Sequence, residues 1–389
     1  MIAGIASLVL GYVLSQFYRA FLAVLTPVLS AELGASAADL ARASGLWFLA
    51  FAAMQIPVGW ALDRIGPRRT AAGLLTAAAA GAAVFATAQG PGAVAWAMVL
   101  IGVGCSPVLM ASYYIFARTY SPVVFGTLAG AVVGIGSLGN IAGSLPLAWA
   151  AEALGWRTTL WALAGLTLSV AAAIALMVRD PERVDTAQGG SLLDLLRLPA
   201  MWLILPMMAV NYAPAAGLRG LWLGPYYTDV FGADAAAIGT AGLAMGLAMV
   251  AGNFAYGPLD RLLGTRKGVV LAGNLLGVLC LLALWAQPAM GGLATLALLM
   301  GVGLFGSSFP MIMAHGRAFF PRHLVGRGVT LMNMFGIGSV GIMQVLTGRV
   351  HGAVATPPAE APYAALFLFF ALTLLAGCIL YAFAPDRTD

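Results

Sequence analysis

Apolar runs of about twenty residues recur along the whole chain, and no other feature limits the fold as tightly. A backbone amide in hydrocarbon has no water to bond, so runs of this length must be helical. Breaking the 389 residues at polar clusters and at Gly and Pro punctuation gives twelve runs. Their limits fall near 5–31, 41–62, 71–88, 93–117, 123–150, 158–178, 200–230, 237–259, 268–287, 293–315, 328–349 and 362–384. The pattern predicts an all-α polytopic membrane protein with twelve transmembrane helices. Composition agrees, with 61% of residues hydrophobic and 8% charged, where a soluble domain carries about a quarter charged residues. The first run lacks a basic leader and continues past Arg19, so it reads as a span rather than a cleavable signal peptide.

The basic residues set the expected orientation. With both termini in the cytoplasm, fourteen of the nineteen Lys and Arg fall on the cytoplasmic side. Arg42, Arg157 and Arg349 fall on the other, and Arg19 and Arg219 lie within the membrane. This asymmetry predicts a multi-pass protein of the cell inner (plasma) membrane with cytoplasmic termini. The net charge of +5 is dispersed among short loops, which argues against a nucleic-acid partner. Cys105, Cys280 and Cys378 lie in apolar segments without CxxC spacing, so neither a disulfide framework nor a metal site is expected. There is no GxxxxGK[ST] loop, paired-carboxylate arrangement, zinc set or Ser-His-Asp constellation. No cofactor, ATP coupling or enzyme activity is therefore expected. The expected partners are a small solute and membrane lipid, with the chain acting as a monomer.

The longest hydrophilic stretch, "RDPERVDTAQGGSLLDLLR" from Arg179 to Arg197, reads as a cytoplasmic linker. It divides the chain into residues 1–178, a linker at 179–199, and residues 200–389. The two halves resemble each other. "GWALDRIGPRR" (Gly59 to Arg69) follows the second run, and "GPLDRLLGTRK" (Gly257 to Lys267) follows the eighth. Each has Gly, then Asp-Arg, then Gly, then a basic pair. Glycine permits close packing, the Asp can accept from helix N-terminal amides or a basic partner, and the arginines keep to the positive side.

This loop pattern resembles the signature of the major facilitator superfamily, and twelve runs with a central linker fit it over the whole chain. "LGWRTTLWALAG" (Leu154 to Gly165) is similar to another element of that superfamily. The resemblance implies two pseudo-symmetric six-helix bundles that rock about a midplane site. It also implies that Gly59, Asp63, Arg64 and Arg68, with Asp260 and Arg261, stabilise one conformation rather than touch cargo. One departure is that "AVAWAMVLIGVG" in the fourth run has no arginine, where many proton-coupled members carry one.

Arg19 precedes Asp63 by 44 residues and Arg219 precedes Asp260 by 41. The two arginines therefore occupy equivalent places, expected mid-helix in the first and seventh runs. An unpaired arginine at bilayer depth costs at least about 2.5–3.5 kcal/mol. None of the fourteen Asp and Glu residues falls mid-run to offset it. Two such guanidiniums facing a wet cavity would make a fixed anion site. Snorkelling, or bonds to carbonyls freed near Pro27 and Pro225, would be the structural alternative. Tyr12 and Tyr212 each lie seven residues before an arginine, close to two helical turns, and could donate to an anion or simply pack. Gln16, Gln55, Asn140 and Gln344 are further polar residues within runs, able to line a cavity or to join helices. His315 is expected in a loop, and Trp47 and Trp96 as packing or interfacial residues.

The stretch "GYVLSQFYRAFLAVLTPVLSAELGASAADL" resembles the first helix of the organophosphate–phosphate antiporter family. Members of that family hold phosphate with arginines in helices one and seven, and the correspondence falls on Arg19, Arg219 and Tyr12. Two positions depart from it. The family's basic residue late in helix two falls on Gln55, and its helix-five histidine falls on Gly139. Both changes remove positive potential, which favours a carboxylate, phosphodiester or phosphonate over a phosphate dianion. The expected function is secondary transport of a small organic anion (carboxylate, phosphodiester, phosphonate or organophosphate) by alternating access, with the anion held between Arg19 and Arg219. The alternative is a proton-driven multidrug or metabolite exporter of the same fold, which would call for a cavity acid that the sequence lacks.

Overall fold

The computed structural model describes residues 2–120, 122–181, 192–321, 324–354 and 356–387, and among these there are helices and no strand. Among the described residues ten helices are long and apolar enough to cross a membrane. Two bent pairs, Ala3–Phe17 with Leu22–Leu33 (51°) and Leu128–Ala142 with Leu145–Leu154 (42°), bring the number of spans to twelve when each counts as one. Large apolar side chains face outward along them, among them Trp96, Leu176, Phe254 and Leu293. Such a surface suits hydrocarbon rather than water. The chain divides into two compact units, Met1–Asp185 with Asp234–Thr240, and Thr186–Ala233 with Ala241–Asp389.

In the first unit, glycines let the first and fifth spans meet backbone to backbone. A Cβ on Gly139 would stand 1.9 Å from the Val13 carbonyl oxygen, and one on Gly136 would stand 2.4 Å from the Tyr12 ring. Helix association in lipid draws on this kind of close approach, because apolar side chains gain nothing by leaving hydrocarbon for each other. At one end of the unit, Arg157 donates to the carbonyls of Ala86 (3.0 Å) and Ala88 (2.8 Å), and Trp156 Nε1 donates to Glu32 (3.0 Å). Gly155, at φ 79°, supplies the turn that aims both side chains. The "GWR" of the sixth span is thus a clasp joining the ends of the first, third and sixth spans.

The two units share a cap that the loop motif alone does not reveal. In the first, Asp180 accepts the amide of Arg68 (2.7 Å), the second residue of the helix Pro67–Ala86. In the second, Asp386 accepts the amide of Lys267 (3.0 Å), the second residue of the helix Arg266–Ala286, and also bonds the Thr265 hydroxyl. In each half an acid just beyond the last helix, Trp156–Met177 or Ala361–Ala382, therefore satisfies the N-terminus of the third span. Asp63 does not cap this helix. It pairs with Arg118 at 3.6 Å. Arg68 lies in the first helical turn, which begins at Pro67 rather than at 71. Asp260 and Arg261 lie outside the described residues as regards their side chains.

His315 is not a loop residue. It is fully buried in the helix Phe309–Arg317, with Nδ1 bonded to the Tyr381 hydroxyl and Nε2 to the Pro385 carbonyl (3.0 Å), and so anchors the segment that carries Asp386. Asp386 titrates below the usual carboxylate range. Its partial burial raises the pKa, and this is outweighed by the bonds from Thr265 and Lys267 and by the field of His315. A depressed pKa means that its stabilisation is full above the ordinary carboxylate value and is lost as the pH falls through the lower folded value.

Two outcomes follow. Gly139→Ala should lower the stability of the detergent-purified protein by about 1–3 kcal/mol, whereas Gly130→Ala, which meets nothing within 4 Å, should leave the thermal midpoint in place. Asp386→Ala should cost about 0.5–2 kcal/mol at neutral pH, and its deficit against the native chain should shrink as the pH is lowered through the acidic carboxylate range.

Candidate functional site

Arg19 sits in a break, not in mid-helix. The helix Ile2–Phe17 ends two residues before it and the next begins at Leu22. Between them the amides of Arg19 and Ala20 reach back three residues rather than four, to Gln16 (3.3 Å) and Phe17 (3.0 Å). Such tightening marks the end of a regular helix. Tyr12 therefore shares no unbroken two-turn register with Arg19, and its ring packs against Gly136 of the fifth span.

The guanidinium meets two aromatic rings. Its Cζ lies 5.4 Å from the Trp47 ring centroid and 4.9 Å from that of Phe51. These rings stack on each other at 5.3 Å and 17°, four residues apart on the helix Ala37–Ala53. The platform attracts the cation through the ring quadrupoles and accepts no conventional hydrogen bond. Among the described residues no carboxylate stands within ion-pair distance of Arg19, and its Nε is buried without an acceptor. Trp47 is thus more than a packing residue, whereas Trp96 is 71% exposed.

Other polar atoms without partners belong to the same elements. Gln55 follows the break at Met54 and donates from Nε2 to the Phe51 carbonyl (3.2 Å), while its buried Oε1 has no donor. Gln16 Oε1, one turn before Arg19, and Trp47 Nε1 are likewise buried and unpartnered. Asn140 is half-buried on the fifth span, where its carbonyl accepts from the Ser144 hydroxyl (3.0 Å).

In the second unit Arg219 also interrupts its helix. It lies in a π-helical turn, Leu218–Trp222, between Ala213–Gly217 and Leu223–Phe231, and is 6% exposed. Gly246 lies beside it, and a Cβ there would stand 3.4 Å from a guanidinium nitrogen, at the edge of ordinary contact. Tyr212, at the junction after Asn211, is one of its electrostatic neighbours and meets Phe309 edge-on at 5.8 Å. π-turns disturb the regular amide ladder, and Gln344 braces this one by donating to the Gly217 carbonyl (3.3 Å). Thr347, one turn along, accepts from Trp222 Nε1 (2.9 Å). Gln344 is fully buried, so it acts on the backbone that carries Arg219. Asn211 is tied into a buried network with Asn274 and Ser308 that joins three helices.

Both arginines thus stand where regular helix gives way, each placed by its own unit. The sequence did not single out Trp47, Phe51 or Gly246 as neighbours of the arginines. The signal for the first two was present in the spacing Trp47–Phe51–Gln55, which puts two aromatics and an amide on one helical face.

The model of the Major Facilitator Superfamily matches residues 8–223 and 215–389. No curated protein sequence matches the chain. Among solved structures, the chain resembles a D-xylose–proton symporter, with TM-score 0.78 and 13% identity over 99% of this chain and 98% of that one. It also resembles a bacterial homologue of the human lysosomal transporter Spinster in an inward-facing, occupied conformation, with TM-score 0.74 and 15% identity over 98% and 94%. A third likeness is to the nucleoside transporter NupG, with TM-score 0.76 and 14% identity over 98% and 99%. At these identities the likeness is one of fold.

Replacing Gln344 by Leu removes the donor to the Gly217 carbonyl. It should lower stability by about 1–3 kcal/mol, read as a drop in the thermal unfolding midpoint of the purified protein.

Proposed function

The chain belongs to the major facilitator superfamily, and from that premise we propose that it is a secondary active transporter of a small organic anion. The anion is held by Arg19 from the first half and Arg219 from the second as the site opens to either side in turn. The transporter works in the cell inner membrane, with both termini in the cytoplasm. The observation that carries this reading is the setting of Arg19. A guanidinium inside an apolar span, with aromatic rings for neighbours and no carboxylate within reach among the described residues, gains most from a counter-charge that the cargo brings.

The rest of the site limits the cargo's charge. Gly139 has no space for a side chain, because the Val13 carbonyl occupies the place of its Cβ, and Gln55 is neutral. A carboxylate, phosphodiester or phosphonate therefore suits the site better than a phosphate dianion. No Asp or Glu falls mid-span to relay a proton, so the coupling is anion exchange or co-transport of a proton carried on the cargo. Tyr12, Tyr212, Gln16, Gln55, Asn140 and Gln344 shape or support the site, and Gly59, Asp63, Arg64, Arg68, Asp260 and Arg261 set the balance between conformations.

Counterflow in proteoliposomes tests the proposal. The native chain should accumulate labelled anions from a panel of carboxylates, phosphodiesters and phosphonates. Arg19→Gln or Arg219→Gln should each cut that accumulation by about tenfold to a hundredfold, the range expected for a lost charge-assisted hydrogen bond. Accumulation of an organic cation that survives both substitutions would instead identify an exporter.

A further inference from the structure

We infer that the subsite around Arg19 selects a hydroxylated organic anion, with the acid group on Arg19 and the Trp47 N–H and the hydroxyl on Gln55 Oε1. The inference rests on the anion reading above and adds to it what the cargo must carry besides charge.

Gln55 and Trp47 are each 1% exposed. Native proteins rarely leave such atoms unpaired, and each one left so costs stability. Here two donors, Arg19 Nε and Trp47 Nε1, and two acceptors, Gln16 Oε1 and Gln55 Oε1, lack partners. An acid group answers the donors only. The acceptors need an O–H or N–H.

Gln55 carries the selection because its orientation is fixed. An amide oxygen and nitrogen exchange places easily, but Gln55 Nε2 donates to the Phe51 carbonyl at 3.2 Å. Turning the amide over would set two oxygens against each other, so Oε1 remains the acceptor. The same bond holds the amide beside Phe51, whose ring centre is 4.9 Å from Arg19 Cζ. Trp47 and Phe51 are one four-residue step apart on the helix Ala37–Ala53, about 6 Å, and the bond to the Phe51 carbonyl holds Gln55 next to them across the break at Met54. A small molecule with an acid group and a neighbouring hydroxyl is the simplest one that carries both an acceptor for the donors and a donor for Gln55. An ammonium would also donate to Gln55. It would, however, approach a guanidinium with no carboxylate within reach among the described residues, and like charges repel. The hydroxyl is therefore the favoured donor.

The aromatic pair has a positioning role in this arrangement. Rings hold Arg19 without taking up its N–H groups, whereas a carboxylate partner would occupy two of them. The Trp47 indole supplies a further N–H at the edge of the same platform.

Matched pairs of anions test the inference on the full-length purified chain. Glycerate is compared with propionate, and 2,3-dihydroxypropylphosphonate with propylphosphonate, by shift of the thermal midpoint and by competition for counterflow in proteoliposomes. The hydroxylated member should act at a concentration at least tenfold lower. Gln55→Leu should bring each pair within about threefold. Trp47→Phe, which keeps the ring and loses the N–H, should weaken both members severalfold and leave their ratio unchanged. Equal potency within the pairs on the native chain would overturn the inference with no variant needed. A native preference that survives Gln55→Leu would overturn it too, leaving Gln55 as a helix brace whose oxygen is met by water. Failure of the underlying anion reading looks different, since no anion of either kind would then shift the native protein and Arg19→Gln would change nothing.

Discussion

The need to satisfy every backbone amide away from water governs this structure. It makes the spans helical, and it also gives the breaks in those helices their meaning. A broken helix exposes carbonyls and amides that hydrocarbon cannot serve, so it persists only where protein or a polar cavity takes them over. The breaks at Arg19, Met54 and Arg219 each come with such a remedy. The first tightens into three-residue bonds, Gln55 folds back onto the Phe51 carbonyl, and Gln344 reaches across from another helix to Gly217. Local polar chemistry and local irregularity coincide because each makes the other tolerable.

Much of the fold was legible in the sequence, because span length and apolar content answer directly to the thickness and chemistry of a bilayer. The twofold loop pattern was legible for a similar reason, since glycines and charges at a helix end act over a few residues. What escaped was whatever depends on distant segments meeting. Asp180 and Asp386 follow the last helix of each half, and nothing local says that each caps the third span of its own unit. His315 read as a loop residue because its polar neighbours are close in sequence, whereas its partners Tyr381 and Pro385 are about seventy positions away.

At the site, the arginines stood out because a charge within an apolar run is costly, but their local conformation did not. A seven-residue spacing from Tyr12 assumes a continuous helix, and no proline or glycine between Phe17 and Leu22 announces the interruption. Trp47 and Phe51 could be read as ordinary core, since stacked aromatics four residues apart are common packing. Only the guanidinium above them gives the pair a second role.

Gly139 also bears on how the first span can move. Side chains between two helices act as a compliant layer, changing rotamers to let one helix slide past the other. Between Val13 and Gly139 there is no such layer, because main chain rests directly on main chain. Sliding there would drive a carbonyl oxygen into a neighbouring peptide. The first and fifth spans are therefore coupled as a rigid pair near this contact, and a displacement that begins at one is handed to the other with little loss.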